Sequence, residues 1–131
     1  MFAASFVLLY VAHLAADYPF QTDHQSAHKA DHGAAGWRAA LVHAGTHVIT
    51  CAAALAIGAA VLGDLRPDLW RAAIAVLWIG VSHAAIDRRT GIAWWMDHTR
   101  QPEFRAHGGA AHVDQTAHLI ALAAAALIIA A

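Results

Sequence analysis

Hydrophobic residues gather into four long runs, about 2–18, 38–62, 69–87 and 112–131, separated by polar connections. None sustains the apolar–polar alternation of a half-buried strand, and Ala and Leu dominate, so each run predicts a helix. A bundle in water needs a polar stripe on the outer side of every helix. Residues 48–62 and 119–131 offer almost none, which predicts lipid as the surrounding medium. Roughly 20 residues cross a hydrocarbon core; the second run is generous, the fourth adequate, the first and third short. The expected fold is all-α: a transmembrane four-helix up-down bundle, one membrane-embedded domain over residues 1–131.

The connections fit that picture. Pro19 follows the first run, and Gly63 and Pro67 bracket a tight turn before the third. The first loop, 19–37, is polar and His-rich. The third, 88–111, contains Trp94 and Trp95, and its 91–98 stretch predicts a short helix lying along the interface, where Trp is favoured. The N-terminal run has no basic residues ahead of it and carries His13 and Asp17 where a cleavage site would fall. It therefore reads as a retained membrane helix rather than a signal peptide.

Composition sharpens this reading. Hydrophobic residues make up 60% of the chain and charged residues 13%, about half the usual charged share. A net charge of −1 without any basic block gives no basis for nucleic-acid binding. The single cysteine, Cys51, excludes an internal disulfide framework and a multi-thiolate site, and reads as a small packing residue. Lys29, Arg38, Arg88, Arg89, Arg100 and Arg105 fall on the side of loops one and three, against Arg66 and Arg71 on the other. The basic residues therefore place loops one and three in the cytoplasm and both termini outside.

Within the apolar runs, metal-capable side chains recur in pairs four residues apart: His13 with Asp17, His43 with His47, His83 with Asp87, and Asp114 with His118. Residues at that spacing share one helix face. In an up-down bundle all four pairs come to the same end. Asp17, His43, Asp87 and Asp114 would form an outer layer, and His13, His47, His83 and His118 an inner one, about 6 Å deeper. Imidazole and carboxylate suit zinc, iron or manganese, and bridging carboxylates could join two such ions about 3.5–4 Å apart; two ions are the expectation, one the alternative. No Lys or Arg lies inside the helices to neutralise Asp17, Asp87 and Asp114. A divalent cation or protonated His must do so, or the acids stay protonated in a metal-free His–Asp network. Without His47 the inner layer would be three imidazoles and an open position.

Weaker candidates surround this set. His24, His28 and His32, with Asp23 and Asp31, also run at four-residue spacing, but in a polar loop where solvation is the usual outcome. His98, His107 and His112 read as loop or interfacial residues. Gln21 and Gln115 could orient ligands or simply cap helices. Lys29, Arg88 and Arg89 could steer an anionic headgroup or merely set topology.

The strings HLAADYPFQTDHQSAHK, LVHAGTH, VSHAAIDRR and HVDQTAHLIAL resemble the DUF3307 family of small bacterial integral-membrane proteins, over nearly the whole chain. His13, Asp17, Gln21, Lys29, His83, Asp87, Asp114, Gln115 and His118 occupy the positions that carry the resemblance. It implies membrane topology, in the bacterial inner membrane, and brings no activity, since the family name denotes unknown function.

The expectation that follows is a metal-dependent hydrolase at the cytoplasmic leaflet, acting on a lipid or an anionic lipid-linked substrate, with zinc as first choice of metal. Asp17, Asp87 or Asp114 would serve as general base. A membrane di-iron redox enzyme, a metal or proton transporter or sensor, and a structural metal clamp are the rivals. Membrane lipids are its surroundings, and the Ala-rich, Gly-punctuated surface permits a homodimer.

Overall fold

The computed structural model describes residues 1–131 and is helical throughout. Its elements are α1 (Phe2–Asp17), α2 (Asp23–His28), α3 (Gly33–Val61), α4 (Leu69–Asp87), α5 (Thr90–His98), α6 (Pro102–Phe104) and α7 (Ala110–Ala130), with a π turn at Arg105–Gly109 before α7.

Each apolar run becomes a helix, and the local chemistry explains the boundaries. Asp68 starts α4 by accepting hydrogen bonds from the backbone N–H groups of Trp70 and Arg71. Within Arg105–Gly109, His107 and Gly108 leave the helical conformation, Gly108 at φ +93° in a region open to glycine, so the chain kinks there before α7. Two boundaries depart from the sequence reading. The segment read as a polar loop contains α2, held by a capping box in which Thr22 Oγ1 accepts from Gln25 N–H and Gln25 Oε1 accepts from Thr22 N–H. Helix α3 begins at Gly33 rather than at 38, since Ala34 and Ala35 are strong helix formers beyond an extended His32.

Helix α1 packs against α3 and α7, and α4 packs against the same two. Away from the polar loops these four helices enclose a dry core of small and branched residues, including Leu9, Cys51, Leu55, Ile79, Leu122 and Ile129. Gly80 allows α4 to approach α3 closely: a Cβ there would stand 2.6 Å from Val48 Cγ2. The indole N–H of Trp78 donates to the carbonyl of Ala121 at 3.0 Å, tying α4 to α7.

The distribution of polarity is reversed relative to a protein folded in water. Five histidines and Asp87 are buried, while Ile49, Ile57, Leu77, Val81, Ile120 and Leu127 face outward. Three stretches are long and apolar enough to cross a membrane: α3, α4 and Pro102–Ala130, which contains α7. The third run, expected to be short, thus reaches the required length. Helix α1, at 16 residues, falls short of it.

The α2 segment is clamped onto the end of α4. Arg88 Nη1 donates to the carbonyl of Lys29 at 2.8 Å, and Arg88 Nη2 donates to the carbonyl of Asp31. The guanidinium also lies over the Trp37 ring, 4.8 Å from its centroid. Gly36 makes room for this: a Cβ there would run into the Asp31 carbonyl oxygen and stand 3.0 Å from Arg88 Nη1. The helix-propensity gain of Gly→Ala, about 1 kcal/mol, is set against a clash with backbone, which cannot rotate away. Gly36→Ala is therefore expected to cost about 1–3 kcal/mol, read as a lowered thermal midpoint of the detergent-solubilised protein. An unchanged or raised midpoint would contradict this packing.

Candidate metal centre

The site is assembled by two helices that end at it and two that begin there. Helices α1 and α4 bring His13, Asp17, His83 and Asp87 in their last turns, and α3 and α7 bring His43, His47, Asp114 and His118 in their N-terminal halves. Asp17 is the hub. Its Oδ1 lies 3.1 Å from His43 Nε2, 3.2 Å from His47 Nε2 and 3.8 Å from His83 Nε2, and its Oδ2 lies 3.0 Å from His13 Nε2. Asp87 is a second focus: Oδ2 lies 3.1 Å from His83 Nε2 and 3.6 Å from His43 Nε2, and Oδ1 lies 3.9 Å from His118 Nε2.

Two groups could each hold an ion: Asp17, His43, His47 and His83, and, sharing His83, the trio His83, Asp87 and His118. His13 stands against the first group, its ring centroid 4.9 Å from that of His47, without belonging to either. Asp114 also stands apart. It reaches only His118, at 3.5 Å from Nδ1, and is 21% exposed where Asp87 is 5%.

The four imidazoles of the expected inner layer pack against one another, with ring-centroid distances of 3.5–5.4 Å linking His13, His47, His83 and His118, and Asp17 and Asp87 reach in to meet them. Side chains on a helix tilt toward its N-terminus. On α1 and α4 that tilt carries Asp17 and Asp87 inward from the helix ends. On α3 and α7 it lifts His47 and His118 outward to meet them. The same tilt, at the start of α7, carries Asp114 out toward the rim.

The donor spacing and chemistry fit a metal ion. Bonds to imidazole nitrogen and carboxylate oxygen are about 2.0–2.2 Å, so neighbouring donors on one ion stand about 3.0 Å apart in octahedral and about 3.4 Å apart in tetrahedral geometry. Most separations around Asp17 and Asp87 lie at or near those values. Several contacts that are short enough for hydrogen bonds lack the direction of one. His13 Nε2, His83 Nε2, His118 Nε2 and Asp87 Oδ2 are buried without a hydrogen-bond partner although each has an oppositely charged or chargeable neighbour. Within the first group only His83 Nε2 is orphaned in this way, since His43 Nε2 and His47 Nε2 are in hydrogen-bonding geometry with Asp17 Oδ1; the others of these atoms belong to the second group or to His13. Beyond the cluster, His118 Nδ1 meets the Asp114 carbonyl oxygen at 3.1 Å, whereas Nδ1 of His43, His47 and His83 has no protein partner. The outer support customary for a ligating imidazole is thus supplied to His118 alone.

A basic group that the sequence placed in a loop enters the site. Lys29, at the C-terminal end of α2, sends its Nζ to 3.0 Å from Asp87 Oδ2 and 3.4 Å from His43 Nε2, and its side chain is 11% exposed. Neutralisation of Asp87 is therefore not left to a metal or to protonated His. A signal was present in the T-D-H-Q capping box, which folds this loop back. The partner of Lys29 was set only by tertiary packing. Above the cluster opens a cleft of about 710 Å³, lined by Asp17, Lys29, Asp87, Asp114, Gln115 and His118, with Arg89 and Arg105 farther out.

The weaker candidates separate cleanly. His28 Nδ1 pairs with Asp31 Oδ2 at 2.7 Å on a half-exposed surface, away from the cluster. His98 and His107 contact backbone carbonyls in their own helical turns. Gln21 donates to the backbone carbonyl of Asp17, capping α1 rather than orienting the carboxylate. Arg88 holds the α2 segment as a clamp instead of facing the cleft. Cys51 is a buried member of the dry core.

Comparison with known proteins agrees with the resemblance in the motifs. No curated protein and no solved structure matches the chain. A family model described as a protein of unknown function, DUF3307, matches residues 5–131. The chain belongs to the DUF3307 family.

Proposed function

We propose that this protein is a membrane-embedded, metal-dependent hydrolase acting at the cytoplasmic leaflet on a lipid or lipid-linked substrate. The observation that carries the reading is a buried convergence of imidazole and carboxylate donors directly beneath an open polar cleft. In this reading α1, α3, α4 and α7 form an up-down transmembrane bundle, a single domain in the bacterial inner membrane, with the cleft at the cytoplasmic boundary. Helix α1, roughly 24 Å long at about 1.5 Å per residue, would hold Asp17 a little below a boundary set by a core about 30 Å thick.

Asp17, His43, His47 and His83 would hold an ion, and His83, Asp87 and His118 offer a second position. The nitrogen and oxygen donors suit zinc first, with manganese or iron as alternatives. Such an ion supplies Lewis acidity, polarising a scissile carbonyl or phosphoryl oxygen and acidifying water at an open position. The remaining chemistry belongs to the chain. Asp114 lines the cleft outside both ligand groups, which suits it to take a proton from attacking water and return it to the leaving group. Arg89 lines the same cleft and is exposed, which suits it to meet an anionic headgroup, whereas Arg105 is paired with Asp97 at 2.9 Å. Apolar tails would remain among lipid between the outward-facing Leu, Ile and Val side chains.

The far half of the interior argues for a blind-ended site over a transport path. Beyond His47 and His83 it is built from Cys51, Leu55, Ala75, Ile79 and Leu122, and the single buried hydroxyl of Ser5 does not make a polar chain to continue an ion's route. The test is elemental analysis of the detergent-purified protein beside a His13→Ala/His83→Ala variant. Near-stoichiometric metal is expected in the first and loss of it in the second. Turnover of lipid substrates should stop on chelation and return with one preferred metal. A metal-free protein, with the double variant equally stable, would leave only a buried His–Asp network and overturn the proposal.

A further inference from the structure

We infer that Lys29 is the second cation of this centre: one metal ion binds on Asp17, His43, His47 and His83, and the Lys29 ammonium holds Asp87 where a second ion would otherwise sit. The inference rests on the metal reading above and fixes its stoichiometry.

Three observations converge on it. First, the two ligand groups overlap at His83, which approaches Asp17 Oδ1 and Asp87 Oδ2 with the same atom, Nε2. A neutral imidazole nitrogen has a single lone pair, so His83 Nε2 serves one ion at a time. With His83 engaged beside Asp17, the second group is reduced to Asp87 and His118. Second, Asp87 Oδ2 already faces an ammonium 3.0 Å away. A divalent ion bound to that oxygen would sit directly beside a like charge, whereas Nζ reaches the first group only at the His43 imidazole, 3.4 Å away, and pairs with no Asp17 oxygen. Third, the charges match: Asp17, Asp87 and Asp114 carry three negative charges, and one divalent ion with Lys29 supplies three positive ones.

Lys29 is also held in place by more than its ion pair. Arg88 follows Asp87 directly in sequence and donates to the carbonyls of Lys29 and Asp31, so the end of α4 that presents the carboxylate also sets the position of the lysine. The capping box of α2 and the close seat at Gly36 fix the rest of the segment. A lysine kept only to set topology would need none of this.

The experiment is metal stoichiometry by elemental analysis after loading with Mn²⁺ and removal of free ion, paired with electron paramagnetic resonance. The wild-type chain is compared with Lys29→Met, which keeps the apolar stem, and Lys29→Arg, which keeps the charge. The wild type and Lys29→Arg are expected to hold one ion per chain with the spectrum of an isolated Mn²⁺. Lys29→Met is expected to hold two, with the spectrum of an exchange-coupled pair, which a second ion on the distant surface histidines would not produce. A coupled pair in the wild type overturns the inference and leaves the metal reading standing, and this arm does not depend on any variant folding. One ion in folded Lys29→Met has the same meaning. No ion in the wild type removes the metal reading and this inference together.

Discussion

Asp17→Asn is expected to empty the centre and to loosen the fold around it. Four imidazoles approach this one carboxylate, three of them through Oδ1, one more than approach Asp87. Loss of an outer partner of a ligand already costs about 10–100-fold in metal affinity; loss of the charged ligand itself should cost more than about 100-fold. Metal content should fall below about a tenth of wild type after dialysis, since tenfold corresponds to only about 1.4 kcal/mol. The fold should suffer as well. Removing one member of a buried ionic cluster leaves the others without compensation, typically at a cost of about 3–5 kcal/mol. His43 and His47 are fully buried and cannot turn to water for a substitute. His13→Ala provides the contrast, because His13 lies outside both ligand groups and should cost about tenfold or less in affinity. Equal metal retention in wild type and Asp17→Asn, measured by elemental analysis, would remove Asp17 from the ligand set.

Asp114→Asn should separate binding from catalysis. Its carboxylate lies at the rim of the cleft, in contact with His118 and outside both ligand groups. Asparagine keeps the size and the capacity to accept from His118 but cannot take a proton. Turnover is expected to fall about 10²–10⁴-fold, the usual contribution of a positioned general base, while metal content stays within about twofold of wild type. The split between the two readouts is what matters. Loss of metal along with activity would place Asp114 among the ligands, as the four-pair pattern first suggests. Unchanged turnover would take the base role away from Asp114 and return it to Asp17 or Asp87.

Neither prediction can be made from spacing alone, because the four pairs look equivalent along the chain. Each is a pair of ligand-type residues one turn apart in an apolar run. Their inequivalence arises from helix direction together with what packs against each helix start: His43, the outer member of its pair on α3 as Asp114 is on α7, is fully buried against Lys29 and Asp17. Asp17 and Asp87 close helices that end at the site and tilt into it, whereas Asp114 opens a helix that begins there and tilts out. A carboxylate buried among imidazoles and one reaching a solvent cleft then differ in chemistry although they share a motif. The same lesson holds for the glutamines. Gln21, at the next four-residue step after Asp17, spends its amide on the helix end, and Gln115 faces the cleft.

What the chain determines by itself is local and periodic. Long runs of Ala, Leu, Ile and Val specify helices, and their lack of a polar face requires an apolar surrounding; both follow from composition and a repeat of about 3.6 residues. The four-residue recurrence of His and Asp likewise places each pair on one helix face. Tertiary structure decided what depends on residues distant in sequence. It brought Lys29 to Asp87 across 58 positions and Arg88 to the carbonyl of Lys29 across 59, and it divided eight similar side chains into a buried cluster and a rim carboxylate. Periodicity records which way a side chain faces on its own helix. The partner it meets depends on how the helices run and cross, and on how a short capped segment folds back over their ends.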